Sequence, residues 1–165
     1  MHNKIVIAVA VVTIVVGIAV WKSGYFGHVP TNAPTYKIEM VDSEQVNSWN
    51  FKGAYTTPEL QAKANAEIKR LKSLFGTEKF SDYILYISIA NQYDLLGDGG
   101  NELLYLEKAL ALDSTETGLA WQNAGQLFAR LGAYKTARMA FERSVAAQPI
   151  QQYQQALDDF IKSRQ

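Results

Sequence analysis

Cysteine is absent from the 165-residue chain, and histidine occurs only as His2 and His28. The first absence excludes disulfide scaffolds, thiolate nucleophiles and Cys-based zinc or iron–sulfur sites. The second leaves no residues for a His-dependent catalytic apparatus or a multi-His metal site, since both histidines precede the stretch patterned as a folded domain. Net charge is absent too: 16 Lys+Arg balance 16 Asp+Glu. A neutral chain has no global field to hold nucleic acid, so no nucleic-acid partner is expected. Phosphate-binding glycine loops are also missing. Gly97-Asp98-Gly99-Gly100 follows a helical pattern rather than a strand, so it reads as a turn. The acidic pairs Asp158-Asp159 and Asp94/Asp98 have no accompanying ligands at metal spacing. The expectation is a protein that is not an enzyme, with no cofactor and no metal.

What the chain does have, first, is an apolar run. Ile5–Trp21 reads IVIAVAVVTIVVGIAVW, 17 positions without a charge. As a helix at ~1.5 Å per residue it spans about 25 Å, close to the ~30 Å hydrocarbon core. Lys4, Trp21 and Lys22 suit the two interfaces. Residues 1–22 therefore read as a single-pass transmembrane anchor in contact with the bilayer. A cleaved signal peptide is the competing reading, through the small-x-small triplet Gly17-Ile18-Ala19. Val20 and Trp21 continue the apolar run past that point, and the basic n-region is thin, which favours the anchor. Lysines on the two sides do not fix the orientation. The short tail before Lys4 points to an N-terminus in the cytoplasm and an extracytoplasmic folded part.

Residues 23–57 read as a linker, punctuated by Gly24, Gly27, Pro30, Pro34 and Gly53. Tyr36–Met40 alternates like a short strand, but has no partner strand in the sequence. It would have to dock on the helical part or on another protein. Tyr25, Phe26, Trp49, Phe51 and Tyr55 make the linker adhesive. They either pack on the domain's first helix, the ordinary use of aromatics, or rest on lipid or clasp a partner.

Residues 58–165 read as helical. Thr57-Pro58 opens a run with Leu60, Ala64, Ile68, Leu71 and Phe75 on one face, ended by Gly76. Ser81/Asp82 open a second helix that stops at Gly97. A third spans Asn101–Leu112, a fourth runs from Ser114/Thr115 to Gly132, a fifth from Tyr134 to Ala147, and a sixth covers Gln151–Lys162. Single apolar stripes and short connections predict an all-α domain of antiparallel neighbours.

Residues 120–149 read AWQNAGQLFARLGAYKTARMAFERSVAAQP. Trp121, Gly125, Phe128, Gly132, Tyr134, Ala137, Phe141 and Pro149 fall at the spacings of the tetratricopeptide repeat, which this stretch resembles. Tyr86, Ala90, Tyr93, Gly97, Leu106 and Ala109 take the places of Trp121, Gly125, Phe128, Gly132, Phe141 and Ser144, 35 residues earlier. There the pattern departs: Gly99 replaces an aromatic, and Glu102 replaces a small residue. Gly99-Gly100 predicts a helix that begins late or frays. The resemblance implies a short α-solenoid of two repeats with flanking half-repeat helices, in which the first helix of each pair lines a groove.

By that resemblance the protein is a membrane-anchored protein–protein interaction module or scaffold. The partner-binding residues would be Ile84, Ile87, Asn91, Asp94, Gln122, Asn123, Gln126 and Arg130, binding a protein or peptide. Leu95, Leu119 and Ala129 lie in the same rows. A family subset clamps a carboxylate tail with two Asn and three basic residues. Asn91 and Asn123 fill the Asn places, but Ile87, Tyr153 and Leu157 stand where the bases should be, so that clamp is excluded. The other reading is a structural subunit of a larger membrane or envelope complex with no groove activity. Charge is segregated as well. Residues 83–117 carry a balance of −5 and residues 118–149 one of +3, which suits an oriented partner or head-to-tail self-association into a homo-oligomer.

Overall fold

The computed structural model describes residues 36–112 and 117–164. The expected anchor, Tyr25 and Phe26 lie outside the described residues. Among those described, no helix is long and apolar enough to cross a membrane.

The described chain is all-α. Six helices follow one 3₁₀ turn at Val41–Ser43: α1 (Pro58–Lys72), α2 (Asp82–Leu96), α3 (Gly99–Leu112), α4 (Leu119–Arg130), α5 (Tyr134–Ala147) and α6 (Gln151–Lys162). Each helix packs on the next, and the α2–α3 and α4–α5 pairs are the most extensive. Local chemistry sets most boundaries. Thr57 Oγ1 accepts the Leu60 N–H at 3.4 Å with Pro58 at the first helical position, and Ser81 caps α2 in the same way. Gly97 ends α2 with φ +77°. Leu85, Ile89, Leu106, Leu110, Leu127 and Phe128 are fully buried and make one continuous core with Trp121 and Phe141.

Two helix starts differ from expectation. α3 begins at Gly99 rather than Asn101. Asp98 caps it, with Oδ1 accepting the Asn101 N–H at 3.0 Å, and the Gly99 N–H is satisfied by the Trp49 carbonyl at 2.8 Å. The paired glycines therefore do not delay the helix. α4 begins at Leu119, later than Ser114/Thr115. No side chain of its own N-cap, Gly118, serves it. Instead the Tyr83 hydroxyl of α2 accepts the Ala120 N–H at 3.2 Å, and Gln148 Oε1 accepts the Gly118 N–H at 2.9 Å.

Gly125 lies where α4 and α5 cross closely. A β-carbon there would stand 2.8 Å from two atoms of the Phe141 ring. That ring is 4 % exposed and has little room to retreat. Gly125→Ala is expected to cost about 1–2 kcal/mol in urea unfolding, overpacking exceeding the ~1 kcal/mol that Ala gains in helix propensity. A neutral or stabilising result would contradict this packing.

Residues 36–57 are the main departure. The part of the expected linker that is described lies against the helices as a strap. No strand forms at Tyr36–Met40, because its neighbours offer side chains rather than a backbone ladder. The Ile38 N–H donates to Glu107 Oε1 at 3.0 Å, and the Val41 N–H to Thr136 Oγ1 at 3.1 Å. Ile38 itself is buried in the core. The Tyr36 ring meets Trp121 edge-on at 5.7 Å between centroids. Farther along, Phe51 and Tyr55 donate backbone N–H bonds to the carbonyls of Gly97 and Leu95 at 3.0 and 2.9 Å. Of the described linker aromatics, Phe51 packs on the core of the domain, Tyr55 is anchored through its backbone at the end of α2, and the Trp49 side chain stays exposed; Tyr36, from the expected strand, packs on the core as well.

Glu44 supplies what α5 lacks. The N-cap of α5 is Ala133, which has no side-chain acceptor. The Glu44 carboxylate takes its place, accepting the N–H groups of Lys135 (3.0 Å) and Thr136 (2.9 Å) and the Thr136 hydroxyl (2.8 Å). Burial pushes this carboxyl up, but the bonds from Thr136 and Lys135 outweigh it and hold its pKa below the usual range. A depressed carboxylate stabilises above its unfolded pKa and loses that contribution as pH falls through its folded one. Glu44→Ala is expected to cost about 1–2 kcal/mol at neutral pH, as for loss of a helix N-cap, and less in acid. Chemical unfolding at pH 7 and pH 3 checks both parts.

Candidate functional site

α2 and α4 carry the residues expected to bind a partner, and the structure separates them into three groups. Ile84 is 44 % exposed, and Gln126 is exposed on α4. Asn91 and Asn123 meet across the two helices, the Asn123 amide donating to Asn91 Oδ1 at 3.0 Å. Asp94, one turn farther along α2, and Arg130, two turns farther along α4, form an ion pair. Ile87 and Gln122 are not available. Ile87 is 4 % exposed within the core, and Gln122 is 6 % exposed with its Oε1 accepting from the Ser144 hydroxyl at 3.4 Å. α2 is apolar around most of its circumference, with Leu85, Tyr86, Ile87, Ile89 and Ala90 all buried. Repeat spacing alone therefore does not tell its open side from its packed one.

Two clefts open beside these residues. The first, about 300 Å³, lies between α1 and α2. Buried Leu71 and Leu85 form its apolar floor. Phe80 and Ile84, 51 % and 44 % exposed, stand at its rim. Ser88, Asn91 and Gln92 add hydrogen-bonding groups, and the Arg70–Glu67 pair closes the other side at 2.6 Å. An apolar floor with a polar rim suits capture of one large apolar side chain while amides hold the adjoining backbone. Phe80 and Arg70 were not among the expected binding residues. Phe80 stands just before the α2 cap, outside any helical period, and nothing in the sequence marks it.

The second cleft is closed by the strap. Phe51, Lys52, Gly53 and Ala54 face Asp94 and Arg130 across it. The Arg130 guanidinium lies 4.9 Å from the Phe51 ring centre. Gly53 and Gly97 bring two backbones into contact. A β-carbon on Gly97 would stand 2.1 Å from the Phe51 carbonyl oxygen, and one on Gly53 would stand 2.3 Å from that of Leu95. Phe51 also approaches the Gly99 β-carbon position at 3.3 Å, so the strap brings an aromatic to the start of α3, where the chain has none of its own.

One titratable group is out of place for a solvated surface. Glu102, at the first turn of α3, is 4 % exposed, and its Oε2 finds no hydrogen-bond partner among the described residues. Burial pushes its pKa up to about 8. Among the described residues no group of three His, Cys, Asp or Glu is placed to hold a metal.

No protein-family model, no curated protein and no solved structure matches this chain.

Proposed function

We propose that the chain is a membrane-anchored protein–protein interaction module of the tetratricopeptide type, with α2–α3 and α4–α5 as its two repeats and α1 and α6 as flanking half-repeats. The N-terminal apolar run serves as the anchor and holds the helical domain at the extracytoplasmic face. The α1/α2 cleft, with Phe80 and Ile84 exposed over an apolar floor, is the observation that carries this reading. Exposed apolar side chains clustered at a concave site mark interaction surfaces. Asn91, Asn123 and Gln126 extend the surface toward α4.

The test is a cross-linking pull-down from intact membranes with the full chain. Phe80→Ser together with Ile84→Ser is expected to remove at least nine-tenths of the cross-linked partner. Both side chains are about half exposed, so unfolding free energy should change by under about 1 kcal/mol. Undiminished capture would remove the cleft from the reading.

A second reading has its own support. The polar groups expected to meet a peptide already satisfy one another, in the Asn91–Asn123 and Asp94–Arg130 pairs. That arrangement suits a structural subunit whose rows brace neighbouring helices. Under this reading the Phe80/Ile84 variant keeps its partners, and changes at exposed Trp49 abolish them.

A further inference from the structure

The strap segment Tyr36–Glu44 lies on a different surface from the α1/α2 cleft, and it is held as a ligand is held. Its hydrogen bonds to the helices join it to residues 69 to 107 positions away. Nearly all of them are to side chains or to the free N–H groups of a helix end. Only Ile38 is buried, while Tyr36, Met40, Val41 and Glu44 are half-buried. Asp42 and Ser43 adopt positive φ (50° and 55°), a conformation L-residues disfavour. Beyond Glu44, Val46 still packs against the core, Gln45, Asn47 and Ser48 are exposed, and the next anchoring bond to a helix comes only at Trp49. The segment is thus attached to α3, α4 and α5 on one side of an exposed joint and to the α2–α3 turn on the other.

The surface beneath it has three recognition features in a row. Trp121, covered by the Arg143 guanidinium at 4.9 Å, receives an aromatic edge. A core hole receives an aliphatic side chain two residues on, with Glu107 accepting the backbone N–H. The uncapped end of α5 and the Lys135 ammonium then receive two carboxylates, Glu44 and Asp42. Charge agrees with this order. Residues 36–46 carry a balance of −2, and they lie against the α4–α5 stretch with its balance of +3.

We propose that the surface formed by α3, α4 and α5 is a receptor for an acidic peptide segment that closes in a tight turn, occupied in cis by Tyr36–Glu44. Its ligand pattern is an aromatic, an aliphatic two residues later, and carboxylates six and eight residues after the aromatic. The tether gives the cis segment an effective concentration on the order of millimolar, so a competing segment in trans must be abundant or make added contacts.

The test uses the full-length chain and a fluorescent peptide of residues 36–46, followed by anisotropy. An Ile38→Ala/Glu44→Ala variant loosens the cis segment without touching the receptor. This variant is expected to bind the peptide at least tenfold more tightly than the unsubstituted chain does. A peptide carrying the same two alanines should bind neither protein. A variant with unchanged helical circular dichroism that takes up no peptide would overturn the proposal. So would equal uptake of both peptides, or concentration-dependent dimerisation without uptake. Should the variant unfold, amide exchange on the unsubstituted chain decides. The Ile38 and Val41 amides are expected to exchange at least 100-fold faster than those buried in α4, and equal protection would overturn the proposal.

Discussion

Replacing Gly97 by alanine is expected to cost the domain at least about 3 kcal/mol, the largest single effect of any glycine substitution outside a helix. Two penalties add there. The φ of +77° puts an L-residue in the left-handed region, at about 1–2 kcal/mol. The new β-carbon also stands 2.1 Å from the Phe51 carbonyl oxygen and 2.7 Å from the Gly53 nitrogen, both backbone atoms that cannot rotate away. Gly132 is the internal control. Its φ is +82°, yet nothing lies within 4 Å of its β-carbon position. Gly132→Ala should therefore lose only the conformational term, about 1–2 kcal/mol. The difference between the two variants isolates the contact of strap with turn. Urea denaturation followed by circular dichroism measures both. Equal losses at the two glycines would show that the strap does not bear on Gly97.

Glu102 should make stability fall as pH rises. Its carboxyl titrates near 4.5 in the unfolded chain and at about 8 in the folded one. The folded state therefore holds a proton that the unfolded state releases. The associated stability is fully present below pH 4.5 and is lost as pH climbs through 8, with a limiting slope of about 1.4 kcal/mol per pH unit. Glu102→Gln keeps the shape and removes the titration. It should be close to neutral at pH 4, be more stable than the parent by about 4 kcal/mol at pH 7.5, and flatten the profile between them. Against a typical total of ~5–15 kcal/mol this is a large fraction. Guanidinium unfolding at four pH values between 4 and 8 gives the comparison. A parent profile that rises across this range would refute the protonated state of Glu102.

The sequence made much of the helical frame readable. Thr57-Pro58, Ser81, Gly97, Gly132 and Pro149 act locally, through caps, a left-handed residue and a missing N–H, so reading along the chain finds them. The strap was not readable, because its chemistry is not local. Glu44 is a linker residue until α5 is seen to lack a cap 91 residues later. Gly53, Gly97 and Gly99 look like three turn signals, and only their contacts with Phe51, Leu95 and Trp49 show that they form one docking surface. The rows expected to bind a partner were readable as rows but not as surfaces. Ile84 and Ile87 are the same residue type three positions apart, yet one is 44 % exposed and the other 4 %. What separates them is where α1 and α3 pack on α2, which periodicity within α2 does not contain.

The reach of the strap changes how such a stack of helices should melt. A linear array held only by nearest-neighbour contacts frays inward from its ends, one unit at a time. Here the residues preceding α1 are fastened to the penultimate helix, so neither half can detach without tearing the same set of bonds. The fastening turns a row into a ring. While the strap is docked, ring closure ties the two ends of the helical body together, so the helices come apart only after the strap has let go, and it forces the first-synthesised part of the domain to wait for the last helices before it can settle.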